Sequence, residues 1–159
     1  MIVGASSATT LTINNAVVVA TAAGGFTSNA EVGAGQLTTN TTGNVTVGTG
    51  TYTGNITGNA TFGGAGTINT TVITGQTDFK GAAGTVNVND TGTLAAVTSS
   101  AATNSSLVFL GGGNVTGVIN NIGAITVNAA GNKTVILQKS VSATSLCCGE
   151  FTRLAYKKR

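Results

Sequence analysis

The 159-residue chain has no histidine, no proline and no tryptophan, and only 7% of it is charged. Without histidine it lacks the usual proton shuttle of neutral-pH catalysis, which excludes Ser–His hydrolysis and most general acid–base schemes. Its two cysteines, Cys147 and Cys148, stand side by side near the end. Adjacent cysteines seldom bond each other without strain, and no histidine or further cysteine completes a zinc site around them. The expectation is therefore no metal, no cofactor and no catalytic residue set. Aromatic residues make up 4% of the chain, too few for the two interfacial girdles of a membrane-spanning β-barrel.

The net charge of +3 is confined to one end. Lys80, Lys133 and Lys139 balance Glu31, Asp78 and Asp90, while Arg153, Lys157, Lys158 and Arg159 face only Glu150. A neutral body without a basic stripe argues against nucleic acid as a partner. Residues 147–159 read as an atypical basic, cysteine-containing tail, a foreign C-terminus of the kind a frame change produces, set apart from a body over 1–146. Residues 1–15 contain no Lys or Arg, so the apolar run Ala16–Ala23 does not read as a secretory signal. That run is too short to span a bilayer and reads as one buried strand between Asn14-Asn15 and Gly24-Gly25. An export signal is expected upstream of this chain.

What is present is 30 Thr, 24 Gly, 21 Ala and 16 Asn, more than half of the sequence. Disordered chains are rich in charge and proline and poor in β-branched residues; this chain is the reverse. Val or Ile alternates with Thr or Asn in Asn44–Val47, Thr67–Asn69, Thr85–Val88 and Ala124–Asn128, the period-2 pattern of a half-buried strand. Fuller apolar runs occur at Leu107–Leu110, Val118–Ile119 and Val135–Leu137. Glycine clusters fill the gaps, and no stretch shows a helical apolar stripe.

Three segments repeat a texture of strand with Phe, Gly-rich turn and a second strand: Gly58–Asn69 around Phe62, Gly75–Asn87 around Phe79, and Ser105–Val115 around Phe109. Units this small cannot bury an apolar side alone and must stack. Short strands, Gly/Asn turns and small aliphatics predict an all-β, right-handed parallel β-helix, or β-solenoid. Nine Asn-x-Ser/Thr triplets occur; they are formal glycosylation acceptors, but they read better as outward Asn/Thr pairs on one strand face.

Little chemistry is on offer. Asp78 and Asp90, with Lys80 nearby, could meet on neighbouring strands as the carboxylate pair of a carbohydrate-active β-helix enzyme, the alternative to a non-catalytic role. Both also suit strand ends and turn caps. Gly63-Gly64-Ala65-Gly66 opens like a calcium-binding nonapeptide, yet Ile68 stands where the ligand Asp is needed. Thr10/Thr12, Thr49/Thr51/Thr53 and Thr91/Thr93 are local Thr-x-Thr ranks of the kind that orders water into ice, but in the sequence they do not recur once per coil.

The segments Gly58–Asn69, Gly75–Asn89 and Phe109–Asn120, with Ile125–Asn128, resemble the passenger regions of rickettsial surface cell antigen autotransporters, in particular outer membrane proteins A and B of that group. The similarity covers about residues 35–140 and lies in the repeat texture. It implies a stretch of a long β-solenoid carried to the bacterial cell surface through an outer-membrane barrel, serving in adhesion and as a surface layer. The implied partners are a host cell-surface protein or neighbouring surface-layer proteins, with no small-molecule substrate. Exposed strand edges at the ends of a solenoid fragment add an expectation of self-association and of poor cooperative folding in isolation.

Overall fold

A computed structural model of the chain describes residues 10–19, 25–101, 104–128, 133–149 and 153–156. The described residues form seventeen strands and no helix. In chain order these begin with β1 (Thr10–Ile13), β2 (Val17–Val19), β3 (Asn29–Val32), β4 (Gln36–Thr38), β5 (Val45–Val47) and β6 (Thr51–Thr53). Then come β7 (Ala60–Phe62), β8 (Thr67–Ile73), β9 (Thr77–Asp78), β10 (Thr85–Leu94), β11 (Val97–Thr98) and β12 (Ser106–Phe109). The last are β13 (Gly113–Val115), β14 (Ile119–Val127), β15 (Thr134–Leu137), β16 (Val141–Cys148) and β17 (Arg153–Tyr156).

Every strand pairing is parallel and joins one coil to the next, so the chain winds as a β-solenoid of about seven coils with three sides. On the first side Ala30, Val45, Ala60, Thr77, Val97 and Ile119 stack in register. On the second, Leu37, Tyr52, Ile68, Val86, Leu107 and Ile125 do so. The third continues a run of bridges, Phe26–Thr41–Ile56–Ile73, into Leu94, Val115 and Leu137. Nearly all of these side chains point inward and are fully buried. Removing a Val, Leu, Ile or Phe side chain from water contributes roughly 1.5–3 kcal/mol, so three such columns hold the coil together without a bulky two-layer core.

Coils are not of equal length. Partners one coil apart are separated by 15 residues at Ala30–Val45 and by 22 at Val97–Ile119. The additional residues lie at the corners while the columns keep register. This lengthening explains a difference from the sequence reading. Phe62 and Phe79 do occupy one position in successive coils, with rings stacked at 4.6 Å and 9°. Phe109, however, lies on the second side between Val88 and Val127. The three sides are each strand, glycine corner and strand, so the same sequence texture arises once per side as well as once per coil.

In the fuller apolar runs only some residues face inward. Leu110, Val118 and Ile136 are exposed, because each follows or alternates with an inward residue, and a solenoid strand has only one inner face. Val17 is 64% exposed for the same reason: it shares the outward column of Gln36 and Thr51. The expected strand at Ala16–Ala23 is thus found only as Val17–Val19, and residues 20–23 lie outside the described residues. Strand β16 runs through 146 and 147, and β17 pairs in parallel with β15; residues 150–152 and 157–159 lie outside the described residues.

Two glycines show how tightly coils meet. Gly54 has φ of 146°, and a Cβ there would strike the Thr39 carbonyl of the coil before. Gly84 lies against the Phe62 ring, which occupies the place a Cβ would take. Asparagines at the corners bind coil to coil. The backbone N–H of Asn44 donates to Asn29 Oδ1 at 2.8 Å, that of Asn59 to Asn44 Oδ1 at 2.8 Å, and that of Gln76 to Asn59 Oδ1 at 2.8 Å. A second ladder runs from Asn40 to Asn55, whose N–H donates to Asn40 Oδ1 at 2.9 Å, and on to the N–H groups of Thr71 and Val72. Several Asn-x-Thr triplets are therefore corner asparagines capping the next coil, rather than simple outward pairs.

Candidate functional site

The carboxylates expected to form a pair are not brought together. Asp78 stacks on the first side between Thr61 and Thr98. Its Oδ1 accepts the backbone N–H of Lys80 at 2.9 Å, and Lys80 turns the corner with φ of 47°. Asp90 turns the next corner with φ of 51°. They share one coil, with the whole second-side segment Thr85–Val88 between them, instead of meeting on neighbouring strands. Asp78 ends β9, and Asp90 bends β10 at a corner. Glu31 shares the outward column of Thr46, Thr61 and Asp78, but two threonines separate the acids along it. Among the described residues no group of three His, Cys, Asp or Glu could hold a metal ion.

The second side is a uniform surface. Alternation there turns Leu37, Tyr52, Ile68, Val86 and Leu107 inward and their neighbours outward in two parallel ranks. One rank is Gln36, Thr51, Thr67, Thr85 and Ser106; the other is Thr38, Thr53, Asn69, Asn87 and Val108. Neither rank carries a charge. Along each, side chains repeat at about 4.8 Å, and across the strand at roughly 6.6 Å. Asn87 Nδ2 donates to Asn69 Oδ1 at 2.9 Å, and Asn69 Nδ2 to Thr53 Oγ1 at 3.4 Å, so part of the second rank is tied along the stack.

Sequence reading missed this face. The Thr51/Thr53 pair does recur coil by coil, with Asn, Gln and Ser as stand-ins, but the interval grows along the chain and hides the period. The available signal was Thr51-Tyr52-Thr53 itself, one large residue between two small polar ones.

Beneath the face sits a polar group of the core with three close partners. The Tyr52 hydroxyl lies 2.7 Å from the Thr39 carbonyl, 3.0 Å from Thr41 Oγ1 and 3.1 Å from the Asn55 carbonyl. Burial pushes its pKa up to about 12, against a smaller opposing effect of the Thr41 hydroxyl. Thr77 is the contrast: fully buried, its Oγ1 has no hydrogen-bond partner.

Shallow hollows lie on the surface among the described residues. One of about 410 Å³ is lined by Asn104, Ser105, Ser106 and Ser145 near the C-terminal end, and it holds neither acid, base nor aromatic ring. Another, about 160 Å³, is lined by Asn59, Thr61, Gln76 and Asp78 on the first side. Neither gathers the two groups that general acid–base chemistry needs.

No family model, curated protein or solved structure matches the chain. Among the described residues no helix is long and apolar enough to cross a membrane. The functional reading rests on the solenoid and its faces.

Proposed function

We propose that the chain is a structural and adhesive module of the autotransporter-passenger kind, displayed at a bacterial cell surface, that binds through the extended second side and performs no catalysis. One observation carries the reading: two uncharged ranks of Thr, Asn, Gln and Ser side chains, one of them ending at Val108, stand in register over successive coils. Such a face offers many weak, evenly spaced hydrogen-bonding groups in place of one pocket, which suits an extended macromolecular partner. That partner is a host cell-surface protein or a neighbouring protein of the surface layer.

The test is binding of chain-coated beads to cultured host cells, with two sets of substitutions. Thr51→Lys with Thr67→Lys and Thr85→Lys charges the second side; Thr46→Lys with Thr61→Lys charges the first. Saturable binding that falls at least tenfold with the former and survives the latter supports the proposal. Equal losses, or no binding by the unaltered chain, refute it, as does cleavage of any glycan during the incubation.

A further inference from the structure

Midway along the solenoid, the corner that joins the second side to the third is longer than the corner beneath it. Thr70 and Val72 of β8 pair with Val88 and Thr93 of β10, so Thr71 alone spans the interval that residues 89–92 span one coil later. Toward the following coil, β10 pairs through Val88 with Phe109 and resumes at Gly92 with Gly113. Asn89, Asp90 and Thr91 fall in both gaps and stand outside the ladders. Asp90 turns the chain there with φ of 51°, in the left-handed region. Asn89 is half-buried, and Asp90 and Thr91 are exposed.

Asn89-Asp90-Thr91 is one of the Asn-x-Ser/Thr triplets, and the fold separates it from the others. Asn40, Asn44, Asn55 and Asn59 each commit the amide oxygen to an N–H of the next coil. Asn69 and Asn114 accept from Asn87 Nδ2 and Gln138 Nε2, both at 2.9 Å. Asn104 is exposed, but the third residue of its triplet, Ser106, is fixed in β12 between Thr85 and Ala124. Asn132 lies outside the described residues. Among the described residues no hydrogen bond holds the Asn89 side chain. An acceptor triplet belongs on a surface loop, where a transferring enzyme can reach the Asn amide and the Ser/Thr hydroxyl together. Of the triplets whose asparagine is described, the one at Asn89 meets that condition.

We propose that Asn89 is the residue on which the folded chain accepts an N-linked sugar, delivered by a transferase from a sugar nucleotide. In the transfer Asn89 Nδ2 bonds to the anomeric carbon of the sugar. The bond from that carbon to the diphosphate oxygen breaks, the nucleoside diphosphate leaves with the electron pair, and one amide proton passes to a base of the transferase. The chain itself supplies only the amide and the Thr91 hydroxyl by which the triplet is recognised. A sugar there is bulky and well solvated. It stands at the edge of the second side, two residues past Asn87 of the outward rank. The inference goes beyond the adhesive role and stands whether or not the chain binds a cell.

The experiment incubates the folded full chain with a soluble transferase that moves hexose from UDP-hexose to Asn-x-Ser/Thr triplets, and reads each triplet by peptide mass. A tryptic digest of the chain, in which no coil restrains a triplet, is treated in parallel as the reference. Asn89 of the folded chain is expected to match its occupancy in the digest, whereas Asn40, Asn44, Asn55 and Asn59 stay at least tenfold below theirs. Asn89→Gln and Thr91→Ala should each abolish the modification while circular dichroism keeps its β signature, and Thr91→Ser should retain it. In chain recovered from the cells that make it, the peptide holding Asn89 should carry the mass of a sugar. A folded chain in which Asn89 is modified as poorly as the capping asparagines overturns the proposal. So do capping asparagines modified as readily as Asn89, or a bare Asn89 in the chain from its own cells.

Discussion

Replacing Tyr52 by Phe keeps the ring in its column and removes one oxygen. That oxygen contacts the Thr39 carbonyl, the Thr41 hydroxyl and the Asn55 carbonyl, and Asn55 O also accepts the N–H of Thr41 at 2.8 Å. The substitution thus leaves chiefly Thr39 O and Thr41 Oγ1 wanting partners, Thr41 being buried. A buried polar group deprived of its partner costs about 1–3 kcal/mol, so a net loss of about 2–3 kcal/mol is expected at pH 8. For a chain of this length that is roughly 5–10 °C in Tm. The pH dependence sharpens the test. An unperturbed phenol titrates near pH 10, while the folded-state value is about 12. A raised pKa means the folded state holds its proton longer, so the stabilisation is complete below pH 10 and is lost as pH rises through 12. At about 1.4 kcal/mol per unit the loss is on the order of 3 kcal/mol, half of it by pH 11. Urea unfolding followed by far-ultraviolet circular dichroism suits a chain without tryptophan. The two stability curves should converge between pH 10 and 12. Parallel curves, or a Tyr52→Phe chain as stable as the parent at pH 8, would refute the reasoning.

Thr77→Val removes the buried hydroxyl that has no partner and should stabilise the chain by about 1–2 kcal/mol, seen as a higher urea midpoint with an unchanged slope. Gly84→Ala drives a methyl into the Phe62 ring and should cost about 1–3 kcal/mol in the same assay. Asn44→Ala deletes the acceptor for the Asn59 N–H and should cost about 0.5–1.5 kcal/mol, with faster hydrogen exchange at Asn59. Asp78→Asn with Asp90→Asn should leave fold and cell binding unchanged; a hydrolytic activity lost in that pair would contradict the non-catalytic reading.

The architecture was legible in the sequence where alternation is strict. Val45/Val47 and Val86/Val88 point inward as period 2 requires. The register between coils was not legible, because corners absorb a variable number of residues while the columns do not. For that reason Phe109 was aligned with Phe62 although it lies on another side, and the Thr51–Thr67–Thr85 rank went unseen. The outward turn of Leu110, Val118 and Ile136 was not legible for a different reason: composition says that a run is apolar, but only the fold says which of its members face inward. The acids were the reverse case. Their suitability for turns was readable from residue type, and Asp78 with its bond to the Lys80 N–H is a corner residue.

The lengthening of the coils has a mechanical consequence. In a parallel stack the backbone hydrogen bonds between coils run along the long axis of the molecule. A pull on the two ends therefore loads them one coil at a time, as a zipper, instead of shearing a whole sheet at once. Each rupture releases the contour of a single coil. At roughly 3.4 Å per residue that is about 50 Å where coils take 15 residues and about 75 Å where they take 22. Under a pulling force the molecule should give a train of small extensions whose size reports the position of the break along the chain.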